Sequence, residues 1–190
     1  MRLYCATSNP GKLREFIQIV GDVWPLPGIS DIPAPAETGA TFEENAAAKA
    51  IYYSEFSDGP LFTDDSGLEL DALGGAPGIY SARFAGLDAT DEANNLLVLE
   101  RMRGEANRAA RFVCVVALAE RGELIRTFRG EVEGELLGEP RGRNGFGYDP
   151  LFYYPPFGCS FGEVSAERKM EVSHRAKALR AMRNMWLRAG

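Results

Sequence analysis

Leu3-Tyr4-Cys5-Ala6-Thr7-Ser8-Asn9-Pro10-Gly11-Lys12-Leu13 is the stretch on which the fold reading turns. Leu3 to Ala6 is a short apolar run of the kind that forms a buried strand. From Leu13 onward the apolar positions Leu13, Phe16, Ile17 and Val20 recur at helical spacing. Asn9 suits an N-cap, Pro10 suits the first helical position because its missing N–H would be unpaired there, and Gly21 supplies the stop. The chain therefore opens strand, loop, helix.

Working outward, a proline-rich connection from Pro25 to Pro35 leads to Thr41-Phe42-Glu43-Glu44, a capping box that opens a helix through about Phe56. Gly59-Pro60 ends it. Leu61-Phe62-Thr63 then reads as a strand ending at Asp64-Asp65-Ser66-Gly67, with a second short strand from Leu68 to Leu70. A glycine-rich region runs from Ala72 to Gly86. Thr90-Asp91-Glu92 caps a helix carrying Leu96, Leu97, Leu99 and Met102, its acids complementing the positive helix end. Arg111 to Glu120 and Leu124 to Leu136 are read as antiparallel strands joined around Arg121-Gly122. Arg129, Glu131, Glu133 and Glu135 alternate along the second, so one of its faces is expected to be wet. A loop from Gly138 to Pro150, an aromatic stretch from Leu151 to Phe161 and a final helix starting at Ser173 complete a mixed α/β layout. There is no internal repeat, and a cleft at the sheet ends is the expected place for a ligand.

Composition narrows the function classes. The chain has 190 residues, 45% hydrophobic and 25% charged, which is ordinary for a globular protein. Its length permits a core that stands without disulfides or a structural metal. With 27 acidic and 21 basic residues the formal charge is −6, which argues against a polynucleotide-binding surface. The longest wholly apolar run, Phe112 to Ala119, falls far short of the roughly 20 residues of a membrane span. The N-terminal residues enter a strand pattern directly, without the apolar stretch of a signal peptide. Cys5 and Cys114 lie in strand-like apolar runs, consistent with reduced thiols in a cytoplasm, and Cys159 is incidental.

Four groups of residues can carry chemistry. Thr7, Ser8, Asn9, Pro10, Gly11 and Lys12 surround a helix N-terminus, where unpaired N–H groups and a lysine opposed by the dipole suit an anion; the plainer reading is a cap followed by a solvated lysine. No Walker A loop is present. Asp64 and Asp65, with Glu37 and Glu44 upstream, are the second group. Adjacent carboxylates repel unless exposed, protonated or holding a cation, and magnesium fits better than zinc where His and Cys are scarce. A turn or cap is the alternative for the pair, and Glu44 doubles as the capping-box partner of Thr41.

Gly142 to Pro150 is the third. Its glycines allow close backbone approach, Phe146 and Tyr148 could stack on a planar ring or pack into the core, and Asp149 could accept from a ring N–H or a basic side chain. The fourth is Ser173-His174-Arg175, with Lys169 upstream. Residues 165–190 hold seven basic and two acidic side chains, leaving −11 for residues 1–164. Arg180, Arg183 and Arg188 complement a helix C-terminus, but His174 and Arg175 sit in the first turn, which points to an acidic neighbour or an anionic or carbonyl-bearing ligand. Covalent catalysis is unsupported, since there is no nucleophile elbow and no Cys–His pair.

These blocks, together with Glu37-Thr38-Gly39-Ala40-Thr41-Phe42-Glu43-Glu44-Asn45-Ala46 and Leu73-Gly74-Gly75-Ala76-Pro77-Gly78-Ile79-Tyr80-Ser81-Ala82-Arg83, stand in an order that resembles the non-canonical purine nucleoside triphosphate pyrophosphatases. That family is also described as inosine triphosphatase-like, or XTP/dITP diphosphatase. The resemblance spans nearly the whole chain. It implies a long central mixed sheet flanked by helices, two lobes around an active-site cleft within one pyrophosphatase domain, and a homodimer. It also implies Mg²⁺-dependent hydrolysis of dITP, ITP and XTP to the monophosphate and pyrophosphate.

By motif position, Thr7 to Lys12 would hold the triphosphate. Asp65 would be the general base and a metal carboxylate, Glu37 the upstream metal carboxylate, and Ser66 a substrate contact. Phe146, Gly147, Tyr148 and Asp149 would enclose the base, Lys169 would reach the substrate, and His174 and Arg175 would read the 6-oxo edge. Ala36 stands where some relatives carry a second acid. A non-catalytic nucleotide-binding regulator and a pyrophosphatase for other modified nucleotides are the competing expectations.

Overall fold

Ala109–Glu120 and Glu123–Leu136 are the longest strands of the protein, β4 and β5 here. The computed structural model describes residues 2–189. Val113 to Ala119 of β4 are buried without interruption, as a strand covered on both faces requires. In β5 Phe128, Gly130, Val132 and Leu136 are buried while Arg129, Glu133 and Glu135 are exposed, so the expected wet face is present. Only Arg121 and Gly122 join the two strands, with φ of 50° and 79°, the left-handed pair that a tight hairpin turn demands.

The seven strands are ordered β2-β1-β3-β4-β5-β6-β7, with β1 Tyr4–Cys5, β2 Trp24–Pro25, β3 Leu61–Leu70, β6 Phe152–Tyr154 and β7 Cys159–Ser160. β1 runs parallel to β2 and β3, whereas β6 is antiparallel to β5 and β7, so the sheet is mixed. The helices are α1 Pro10–Val20, α2 Phe42–Ser54, α3 Asp91–Arg101, α4 Ala166–Val172 and α5 His174–Ala189. No described helix is long and apolar enough to cross a membrane.

Several expectations change. The two short strands around Asp64 to Gly67 are one strand, β3, because nothing in Ser66-Gly67 turns the chain. Gly67 is needed for space: a Cβ there would collide with Gly78 O and Ser81 Oγ. Trp24–Pro25 pairs as an edge strand inside the proline-rich connection, a place where proline is tolerated. A separate helix, α4, precedes α5, and Ser173 closes the first before His174 starts the second. In α1 the buried face is Glu15, Phe16, Ile19 and Val20, while Ile17 is exposed, so the apolar stripe is rotated from its expected position.

The chain forms two compact units. The first comprises residues 2–65, 114–130 and 174–189, the second residues 66–113 and 131–173, so the chain passes from one to the other within β3, β4 and β5. In the first, Tyr4, Ala6, Leu26, Tyr53 and Leu61 form a core cluster, and α1 packs on α5. In the second, Leu68, Leu70, Val98, Met102, Phe112, Tyr148, Phe152 and Phe161 belong to one apolar cluster.

Candidate active site

The first unit gathers its charged residues around β3. Asp64 and Asp65 are consecutive on a strand and so face opposite sides of it. Each meets its own cations. Asp64 Oδ1 accepts from Lys12 Nζ at 3.0 Å, and its Oδ2 accepts from Arg175 Nε at 3.3 Å and from Cys114 Sγ at 3.7 Å. Asp65 Oδ1 accepts from Lys49 Nζ at 3.1 Å. The repulsion expected from the sequence is thus relieved by pleating. Burial favours a neutral Asp64, but Lys12 and Arg175 outweigh it and hold this carboxyl far below the usual carboxylate range.

Asp65 shifts the other way. Burial raises its pKa and Lys49 only partly compensates. Its second oxygen, Oδ2, is buried and has no hydrogen-bond partner. Lys49 also donates to Glu37 Oε1 at 2.8 Å, so one ammonium holds both carboxylates. Its pKa is raised: burial opposes the charge, but Asp65, Asp64 and Glu37 more than offset it. The segment bearing Glu37 is fixed to α2 by Gly39 N–H on Asn45 Oδ1 (2.9 Å) and Ala40 N–H on Glu44 Oε2 (2.7 Å). A Cβ on Gly39 would crowd Asn45 and Glu44, so the close approach requires glycine. Glu44 therefore completes a capping arrangement, with Thr41 Oγ1 accepting from Glu44 N–H, and reaches Ala40 N–H rather than Thr41 N–H.

At the start of α1, Asn9 Oδ1 accepts from Gly11 N–H and Lys12 N–H at 2.8 and 3.0 Å, and Thr7 Oγ1 accepts from Asn9 N–H at 3.2 Å. The amides counted on for an anion are taken by the cap, and Lys12 is neither solvated nor free but paired with Asp64. At α5, Arg175 Nη1 donates to Glu15 Oε2 at 2.5 Å. The acidic neighbour inferred for a cation in that first turn is therefore Glu15 together with Asp64. His174, next in sequence, is buried with an exposure of 3%. The turn is seated where β5 carries Gly130: a Cβ there would collide with His174 O and Ala178 N.

The second unit holds Ser66, the Phe146 to Asp149 segment and Lys169. Asp149 Oδ2 accepts from Phe146 N–H at 3.0 Å and from Lys169 Nζ, on α4, at 2.7 Å. Lys169 Nζ lies 4.9 Å from the centre of the Phe146 ring. The two aromatics divide: Tyr148 is a core residue whose OH donates to Ser81 O at 2.7 Å, and Phe146 is half-exposed. Gly145 has a φ of +76°, and a Cβ there would collide with Asp149 Oδ2.

Among the described residues no three His, Cys, Asp or Glu side chains are gathered as a ready-made cation cage. Glu37 and the orphaned Asp65 Oδ2 nonetheless suit a hard divalent cation, which takes one or two carboxylates and completes its shell with phosphate oxygens and water. Sequence reasoning missed Lys49 and Glu15. A lone lysine inside Asn45-Ala46-Ala47-Ala48-Lys49-Ala50 was the available signal for the first.

Residues 3–185 match the Ham1 family. The chain belongs to the Ham1 family. A dITP/XTP pyrophosphatase of Acidobacterium capsulatum is 50% identical over 196 residues, covering 96% of this chain and 96% of that protein. One from Thermus thermophilus is 49% identical, covering 96% and 90%. The Ham1 protein of Staphylococcus aureus superposes with a TM-score of 0.88 at 37% identity, covering all of both chains. That of Coxiella burnetii does so with 0.89 at 37%, covering 99% of each. The mixed α/β architecture of this Ham1 chain is thus shared with solved members of the family.

Proposed function

We propose that this chain hydrolyses non-canonical purine nucleoside triphosphates, dITP, ITP and XTP, to the monophosphate and pyrophosphate in a Mg²⁺-dependent reaction that cleanses the nucleotide pool. Relatives named dITP/XTP pyrophosphatase at about half identity over nearly the whole chain support the reaction class. The structural observation that carries it is Asp65: a buried carboxylate with one oxygen on Lys49, the other unbonded, and a pKa pushed up by burial. A carboxylate so placed is a better base than an exposed one and can take the proton of an attacking water without any covalent intermediate.

Glu37 and Asp65 would hold the metal, which when bound withdraws charge from the phosphate oxygens and the departing pyrophosphate. Thr7 to Lys12 take the triphosphate, with Lys12 leaving or sharing Asp64 to meet phosphate, and Ser66 is a further substrate contact. Phe146 to Asp149 receive the base on the Phe146 ring, and Lys169, already fixed by Asp149, reaches the substrate. His174 and Arg175 read the 6-oxo edge. Adenine offers an amino group there, so donors aimed at a carbonyl would be left unpaired, a penalty large enough to reject it. Three free thiols support a reducing cytoplasm, and exposed Tyr80 and Leu87 offer apolar surface that a second copy could cover in a homodimer.

The test is pyrophosphate release, with and without Mg²⁺, from ITP, XTP, dITP, GTP, ATP and a pyrimidine triphosphate. Metal-dependent release from the first three alone is expected. Folded protein that binds ITP and releases nothing would instead be a nucleotide-binding regulator, and release from the pyrimidine triphosphate alone would move the substrate class.

A further inference from the structure

Gly147 is held by α3 through both of its main-chain polar groups. Its N–H donates to Asp91 Oδ2 at 2.6 Å, and its carbonyl accepts from Asn95 Nδ2 at 3.1 Å. Asp91 and Asn95 are four residues apart and so share one face of the helix, one turn above the other. We propose that Asp91 and Asn95 are positioning residues for purine selection, setting the place of Phe146 and Asp149 by clamping the glycine between them. The proposal rests on the reading of Phe146 to Asp149 as the base-binding segment.

The clamp matters because the segment it holds is rich in glycine. Gly142, Gly145 and Gly147 have φ of +79°, +76° and +62°, and a glycine-rich loop in left-handed conformations loses much backbone freedom when it is ordered. Within the segment, Asp149 Oδ2 accepting from Phe146 N–H closes a tight turn that leaves Gly147 at its tip. From outside, Tyr148 OH is tied to Ser81 O, and α3 takes Gly147. Gly147 has nothing within 4 Å of where a Cβ would stand, so the glycine serves the dihedral angle and the two hydrogen bonds, not close packing. The acceptor on its N–H is a carboxylate, which makes a shorter and stronger bond than a neutral acceptor. The neighbouring Asn94 takes Ala82 O and Ala85 N–H at 3.2 and 2.8 Å, so the same helix also holds the region containing Ser81. Three asparagine or aspartate side chains make α3 the frame of this segment, although none of them belongs to it.

On the clamped segment Asp149 is the group that can tell the purines apart, as an acceptor for the ring N1–H that a 6-oxo purine carries and adenine lacks; such a bond is steep in distance and angle, whereas stacking on Phe146 tolerates a shift. Loosening the clamp should therefore cost the preferred purine more than adenine. The experiment measures kcat and KM for ITP and ATP, with Mg²⁺, in wild type, Asp91→Ala, Asp91→Asn and Asn95→Ala, together with the thermal midpoint of each. Asp91→Ala and Asn95→Ala are expected to lower kcat/KM for ITP about tenfold, chiefly through KM, and to reduce the ITP-to-ATP preference. Asp91→Asn, which keeps an acceptor for Gly147 N–H, should recover most of that loss. An unchanged ITP-to-ATP preference in both alanine variants, including a uniform loss on the two substrates with a lowered midpoint, would overturn the positioning role. So would an Asp91→Asn variant as impaired as Asp91→Ala. A folded wild type that releases no pyrophosphate from any purine triphosphate would overturn the parent reading and this one together.

Discussion

Arg175 reaches Glu15 at 2.5 Å across 160 positions of sequence, and both side chains are buried. Burial alone would weaken the guanidinium's hold on its proton, but Glu15 and Asp64 raise its pKa instead. Removing one partner of such a pair leaves charge in a medium that does not solvate it. Glu15→Leu is expected to lower the unfolding free energy by about 3 kcal/mol, the lower end for breaking a buried pair, because Asp64 still faces Arg175. Urea denaturation measures it, and an unchanged midpoint would mean that the pair contributes nothing net.

Asp65 offers a different outcome. Its folded pKa lies above the ordinary carboxyl value, so its ionised form is disfavoured by folding; the stability it contributes is present at low pH and lost as pH rises through the folded pKa. Asp65→Asn should therefore keep or raise the thermal midpoint at neutral pH while removing most turnover, on the order of a hundredfold or more for loss of a general base. A folded variant with wild-type turnover would remove Asp65 from its assigned role, and a lowered midpoint would overturn the stability argument.

Asp64 titrates with the opposite sign. Its pKa is held below the 3.8 of an ordinary aspartate, so the unfolded chain binds its proton first, and its contribution to stability is intact above that value and lost as pH falls below it. The urea midpoint is expected to drop on acidification below about pH 4, and Asp64→Asn should be less stable at pH 7 with a flatter acid limb. An acid limb of equal steepness in the variant would place the titration elsewhere.

Lys49→Met would leave Glu37 and Asp65 facing each other without their shared ammonium. In that variant Mg²⁺ should raise the thermal midpoint by several degrees, as a ligand that binds only the folded state does, while wild type responds less because its own cation competes. A midpoint in Lys49→Met that ignores Mg²⁺ would argue that Glu37 and Asp65 do not form a cation site.

What was legible in the sequence is what is local. Asn9, Thr41 and Thr90 all cap the helices they were assigned to, because a cap needs only a side chain and the amides two or three residues on. The wet face of β5 follows from alternation alone. The motif blocks marked Asp65, Glu37, Lys12, Asp149, Lys169 and Arg175 as a set, but not who holds whom. Glu15 sits one position before Phe16 in an amphipathic pattern and reads as a solvated side chain; only Arg175, brought against α1 by α5, makes it a core residue. Lys49 likewise acquires its meaning from Glu37 and Asp65, twelve and sixteen positions away on other elements. Asp91 was explained by the helix dipole, a sufficient reason that concealed its bond to Gly147.

The interleaving of the two units along β3, β4 and β5 also sets an order of events during synthesis. Asp64 emerges 111 residues ahead of Arg175, a delay of roughly ten seconds at typical translation rates, and Glu15 waits longer still. Throughout that interval Asp64 and Glu15 lack the Arg175 guanidinium that pairs them in the folded protein. Residues 66–113 and 131–173, by contrast, are all in hand before α5 has been made. The sequence of the second unit is thus complete before α5 begins, whereas the interior of the first can close only once α5 has been translated.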